Sequence, residues 1–339
     1  MINTWKPRWL FLHHWLNKCI KFDFRLMRSR LSTLRCAPGR NRTCDLMLNV
    51  FATYRFRARL NPLSASYFFE FVAQFDSDDY GQHFKELLIV MLNSIFIVGT
   101  GRSGTHFTCR SISGFENIFD PLNGTENVPV LKQIATSAIH HRSYPEAAKS
   151  YYSDVKSNLT DRSIFIDQHH PNIFYCPELI KIFSNPIFLF PHRSIVQVVA
   201  SMLNHQGVLN WYKYARDSVQ ANSKTDAIPF PNQFLGLAEF SQLDDLELHQ
   251  ICALRVISHE KMANRMQESG ADLRFINYEN LVTNQFSEYS RVFSKSELAA
   301  LGEFSIVEES SIESLGKYKE VLTDKQISEV FDLVKLNGL

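Results

Sequence analysis

From residue 94 to the C-terminus the chain alternates short apolar runs with stretches of helical period. The runs fall at 94–98, 163–167, 187–190 and 273–278, too short for helices and apolar enough for buried strands. Apolar residues at helical spacing recur at 105–113, 175–183, 195–205, 246–269 and 323–333. The last stretch opens on a capping box, Thr323 with Gln326 three residues on. Strands separated by helices predict an α/β protein: a three-layer, doubly wound, mainly parallel sheet. Residues 207–243, richer in Asn, Pro and Ser, are expected to loop over the carboxyl edge of that sheet.

Upstream the pattern fails. Residues 1–90 show neither period until about Tyr67, and they carry a charge the rest of the chain lacks. The first 60 residues hold 13 of the 36 Lys+Arg but only Asp23 and Asp45 of the 35 acids, a balance of +11 against −10 for the remainder. Three readings fit this basic N-terminal segment. It can be an organellar targeting peptide. It can be a nucleic-acid-binding arm, although nothing else in the chain supports a nucleic-acid partner. Or it can be untranslated in nature: CAPGRNRTCDLMLNVFATYRFRARLNPLS resembles the product of translating a transfer-RNA gene and its flank, which would start the protein at or near Met91. The expected division is therefore 1–90, a basic segment, and 91–339, the working domain.

Composition narrows the class. An apolar share of 45% with 13% aromatic suffices for a sizeable core. The longest apolar run, 87–98, is broken by Asn93 and Ser94, so no integral membrane segment is expected. Six cysteines lie scattered, with no CxxC pair and no His/Cys cluster at zinc spacing. That pattern points to free thiols in a reducing cytoplasm and to no metal.

The candidate chemistry begins in IFIVGTGRSGTH, residues 95–106. A strand ends at Gly99 and the chain must turn sharply into a helix. Glycines at 99, 101 and 104 permit positive φ and let backbone N–H groups face an anion at the helix N-terminus. Gly99 and Gly104 have the spacing of a nucleotide-triphosphate loop, GxxxxGK[ST], but Thr105 and His106 stand where the lysine and the Mg²⁺-binding hydroxyl belong. Metal-assisted γ-phosphoryl transfer thus lacks its parts. What remains is Arg102, a row of amides from Gly101 to His106, and the hydroxyls of Ser103, Thr105 and Thr108. A Gly-rich turn with no ligand is the bland alternative.

A second anchor follows in PIFLFPHRSIVQVVASMLNH: a strand, then Arg193, then a helix with Ser194 at its N-cap and an apolar face of Ile195, Val198, Val199 and Met202. Arg193 and Ser201 are two helical turns apart and can both reach one phosphate if the chain wraps it. With the first loop, these residues resemble the sulfotransferase superfamily, whose domain opens on a GTGRSGT-type loop for the 5′-phosphosulfate and whose Arg…Ser pair, eight residues apart, grips the 3′-phosphate. Similar too are IDQHHPNIFY (166–175), like a DKxP segment; FINYENLV (275–282), like a YEDLV strand end; and SLGKYKEVLTDKQ (314–326), like a basic segment before a closing helix. The resemblance covers about 91–339. It implies a P-loop NTPase-like sulfotransferase fold, closest to bacterial and carbohydrate-directed members. It also implies 3′-phosphoadenosine-5′-phosphosulfate as cofactor, and Lys317 as a further 3′-phosphate contact. The chain departs from the family at Gln168, where a lysine commonly follows the acid.

Sulfuryl transfer needs a base for the acceptor's proton and cations for the leaving phosphate. Arg102 can serve the leaving group. For the base, Asp120 in IFDPLNG resembles an FEPL segment whose carboxylate faces a carbohydrate acceptor, and equally suits an Asp-Pro turn. Glu126 is the next carboxylate, and His106, His169, His170 and His205 are imidazoles of suitable type. The acceptor implied is a hydroxyl or amine on a carbohydrate, lipid or small metabolite. Two rivals remain: a phosphoryl-transfer enzyme, and a non-catalytic module that binds an adenine nucleotide.

Overall fold

The computed structural model describes residues 92–121, 129–159, 163–212, 232–238, 246–307, 312 and 315–339, all within one compact unit, Ser77–Leu339. Its centre is a five-stranded sheet: β1 (Ser94–Ile97), β2 (Ile118–Phe119), β3 (Ile164–Gln168), β4 (Ile187–His192) and β5 (Leu273–Asn277). The spatial order is β2-β3-β1-β4-β5 and every pairing is parallel. Four of these strands stand where the apolar runs predict them. The fifth, β2, has two residues and pairs only β3, too little sequence for a periodic signal.

The strands are apolar on both faces because both are covered. Phe96, Phe165 and Phe188 point to one face, where the Phe96 ring meets those of Phe165, Phe188, Phe183 and Tyr152 at 5.2 to 5.9 Å, mostly edge to face. Ile95, Ile97, Ile166 and Leu189 alternate with them and are fully buried on the other face.

The helices in chain order are α1 (Thr105–Ile112), α2 (Pro129–Ile139), α3 (Glu146–Asn158), α4 (Cys176–Ile182), α5 (Ile195–Leu203) and α6 (Leu248–Glu268). They continue with α7 (Tyr278–Thr283), α8 (Gln285–Val292), α9 (Lys295–Leu301), α10 (Tyr318–Val321) and α11 (Asp324–Leu336). A 3₁₀ turn, His170–Tyr175, links β3 to α4. Helices α2 and α3 and the group α7 to α9 lie outside the predicted stretches; α3 is polar on most of its surface and buries only Ala148 and Tyr152. The capping box at Thr323 and Gln326 forms as the sequence indicates. Val196 and Ala200 join Val198, Val199 and Met202 on the buried face of α5, while Ile195, predicted there, is only half-buried. That face packs on α6, α10 and α11. His249 ties α6 to α11 by its Nε2, 2.7 Å from Glu329.

Going from β1 the chain moves to the β2 edge, and from β4 to the β5 edge. Adjacent strands that depart in opposite directions leave a crevice at their carboxyl ends, the position where open α/β sheets hold ligands. The loop after β1 and the turn after β4 therefore face one another. Among the described residues no helix is long and apolar enough to cross a membrane. Cys109, Cys176 and Cys252 are buried free thiols.

Candidate functional site

The loop after β1 is shaped by two glycines and one arginine. Gly99 and Gly104 take φ of 137° and 107°, and Arg102 takes 77°. The sequence reading gave that freedom to Gly101; the left-handed residue is instead Arg102, a conformation that costs a non-glycine residue about 1 kcal/mol or more. Part of the restraint is local: the amide and hydroxyl of Ser103 both donate to the Thr100 carbonyl, at 3.1 and 2.7 Å. At Gly104 the ring of Tyr278 lies against the Cα, so a side chain would run into its Cδ2 and Cε2.

The hydroxyls expected to face an anion are committed inside the fold. Ser103 bonds Thr100, Thr108 donates to the Gly104 carbonyl at 3.0 Å, and Thr105 Oγ1 accepts from Gln168 Nε2 at 3.3 Å. What the loop presents is amides. The first-turn N–H groups of α1 have no carbonyl one turn earlier in the helix to bond. His106 stands exposed on that turn.

The turn after β4 meets this loop. Arg193 Nη1 donates to the Arg102 carbonyl at 3.5 Å, and Arg102 Nε donates to Ser201 Oγ at 3.2 Å. Arg193 and Ser201 are thus joined through Arg102, not to each other. The Arg193 guanidinium also donates to Gln197 Oε1, at 3.3 and 3.2 Å, and lies 4.6 Å from the centre of the Tyr278 ring. Burial pushes Arg193 below its ordinary value; Tyr278 and Glu279 oppose the shift and Arg102 adds to it. Ser194 is at the N-cap, but its hydroxyl makes no cap bond; its backbone N–H donates to Glu279 Oε1 at 3.3 Å, which also receives Gln197 Nε2. Lys317 is exposed at the N-cap of α10, whose Tyr318 and Val321 pack on the cluster formed by α5.

On the other side of β1 the chemistry is acidic. Asp120, just past β2, accepts a long bond from the Cys109 thiol, Sγ to Oδ2 3.8 Å. Burial, then the charges of Asp120 and Asp167, holds that thiol well above its ordinary value. Asp167 is buried at the end of β3 and accepts from the Tyr152 hydroxyl at 2.8 Å and from Asn172 Nδ2 at 2.9 Å. This network fixes the turn that carries His169, which is buried, and His170, which is half-buried. Glu126 lies outside the described residues, as does most of 207–243.

Arg255 on α6, which no sequence motif marks, also reaches the site. Its Nη2 lies 3.4 Å from His170 Nε2, and its guanidinium faces Trp211 and Phe234 at 5.6 and 5.4 Å. A signal was present: an arginine in ICALRVI, between residues that the helix buries. His205, one turn past Ser201, is pushed down by burial and by the charges of Arg102 and Arg255.

No protein-family model matches this chain, and no curated protein matches it. Among solved structures it is similar to a sulfotransferase from Alicyclobacillus acidocaldarius, at 13% identity and a TM-score of 0.42 over 72% of this chain and 92% of that one. It is also similar to the sulfotransferase domain from the curacin biosynthetic pathway, at 13% identity and 0.39 over 72% and 96%. A third similarity is to a sulfotransferase from Mycobacterium avium, at 10% identity and 0.33 over 72% and 76%. The likeness is one of fold.

Proposed function

We propose that residues 91–339 are a sulfotransferase domain that moves a sulfuryl group from 3′-phosphoadenosine-5′-phosphosulfate to a hydroxyl or amine of a carbohydrate, lipid or small metabolite. The observation that carries this reading is the meeting of two motifs 91 residues apart: Arg193 bonds the carbonyl of Arg102, and Arg102 bonds Ser201. Such a bridge brings two guanidiniums and a hydroxyl to the open end of a phosphate-type loop, beside the N-terminus of α1. A nucleotide with anions at two places suits that set, and the absence of a lysine and a hydroxyl at Thr105 and His106 fits a group that needs no Mg²⁺.

The residues would then divide the work. Loop amides from Gly101 to His106 and Arg102 hold the 5′-phosphosulfate and neutralise the phosphate as it leaves. Arg193 and Ser201 hold the 3′-phosphate, with Lys317 reaching it from α10. The donor supplies an activated sulfur: the acceptor's oxygen or nitrogen bonds it while the S–O bond to the 5′-phosphate breaks and its electron pair stays on phosphate. Asp120 takes the acceptor's proton, with Glu126 and His169 as the other candidates. Buried thiols that stay free fit a reducing cytoplasm.

Calorimetry with adenosine 3′,5′-bisphosphate, alongside ATP, tests this directly. Tight binding of the bisphosphate, lost in Arg193→Ala, is the expected result. A preference for ATP, or Mg²⁺-dependent ATP turnover, defeats it.

A further inference from the structure

Arg255 stands in the middle of α6 with Leu254 and Val256 buried on either side of it. Its guanidinium leaves that apolar surround for the phosphate loop: the place a Gly101 side chain would fill is 3.6 Å from Nη2 and 3.9 Å from His170 Cε1. Trp211 and Phe234 hold the group by their faces, and its buried Nε makes no close hydrogen bond, the Tyr212 hydroxyl being the polar group near it. A guanidinium only donates, so in the contact at 3.4 Å His170 Nε2 is the acceptor.

Among the described residues no carboxylate pairs with Arg255. Its field reaches two further imidazoles. Burial and then Arg255 push the fully buried His259 well below its ordinary value, and Arg255 also contributes to the lowering of His205. A held, partly desolvated cation is costly unless an anion completes it.

We propose that Arg255 contacts the terminal sulfuryl group of the nucleotide. The inference rests on the function proposed above and adds a residue that the sequence motifs do not contain. Arg102, Arg193, Ser201 and Tyr278 gather at the Gly104 end of the loop, where they can hold phosphates. Arg255 and His170 stand at the Gly101 end, against the turn that follows β3. Arg255 forms and breaks no bond; it orients the sulfuryl oxygens and carries their charge.

The test compares two nucleotides that differ by the sulfuryl group. Calorimetry with 3′-phosphoadenosine-5′-phosphosulfate and with adenosine 3′,5′-bisphosphate is run on the full chain and on Arg255→Gln and Arg255→Lys. Arg255→Gln is expected to weaken the phosphosulfate about tenfold or more and the bisphosphate less than about twofold, the loss of a charged hydrogen bond at one end only. Arg255→Lys keeps the charge and falls between for the phosphosulfate. Equal weakening of both ligands, or of neither, overturns the inference: the first makes Arg255 a phosphate contact or a packing residue, the second a bystander. If the unaltered chain binds neither nucleotide, the proposed function fails and takes the inference with it. If it binds the bisphosphate and Arg255→Gln does not discriminate, only the inference fails.

Discussion

The two flanks of β1 are built differently. On the β4 side Arg102, Arg193, Gln197, Ser201 and Glu279 are joined by bonds of 3.2 to 3.5 Å between exposed or half-buried groups. On the β3 side Asp167, Tyr152 and Asn172 form a buried triangle of 2.8 to 3.0 Å. Long bonds at the surface are nearly balanced by bonds to water and are easily exchanged for a ligand's oxygens; short buried ones are costly to break. The cationic flank is suited to let go of itself and take hold of something else. The acidic flank is suited to keep a turn, and what hangs from it, in one place.

Four measurements break or sharpen that contrast. Asp120→Asn, on the acidic side, should lower sulfuryl turnover about 10²-fold or more, as loss of a general base does, while bisphosphate affinity stays unchanged. Undiminished turnover removes Asp120 from the proton transfer. On the cationic side Arg193→Ala should weaken the bisphosphate by about 1.5–3 kcal/mol, the worth of a charge-assisted bond, and leave the melting temperature nearly unmoved. If stability falls as much as affinity, the cationic flank is a structural network like its neighbour. Gly104→Ala should cost about 2 kcal/mol of stability in denaturant titration, because alanine at φ 107° is strained and its Cβ meets Tyr278. A neutral result would mean that the loop does not depend on the ring.

The smallest effect is a pH slope. His259 is fully buried and its pKa lies well below 6.5 in the folded chain, with burial the main cause and Arg255 the next. Below pH 6.5 the unfolded chain therefore takes up a proton that the folded one refuses, and stability falls as pH drops toward the folded pKa. Above 6.5 this term is flat. The slope is at most about 1.4 kcal/mol per pH unit for one proton, and His259→Gln should remove it from stability measured across that window. An unchanged slope assigns the proton elsewhere.

Much of the fold was legible because the strands are short, apolar and separated by helices of clear period. β2 was not, since two residues carry no period, and neither was α3, whose buried contribution is mainly Tyr152. The site divides the same way. Loop and anchor could be read because glycine spacing, an arginine and a helix start are local features. That Arg102 would carry the left-handed φ and bridge to Ser201 was not readable, for the bridge joins residues 99 apart in sequence. Arg255 escaped for the same reason: nothing near it in sequence says which loop its helix will pass.

Tyr278, the first residue of α7, directly follows β5, the last strand of the sheet in sequence, and its ring lies against Gly104 in the loop that follows the first strand. The ring that packs on Gly104 is therefore in place only after the far edge strand has docked. A nucleotide that needs that packing would select finished molecules over partly assembled ones. Its affinity would then report on completion of the β5 edge even in variants whose helices and central strands are already in place.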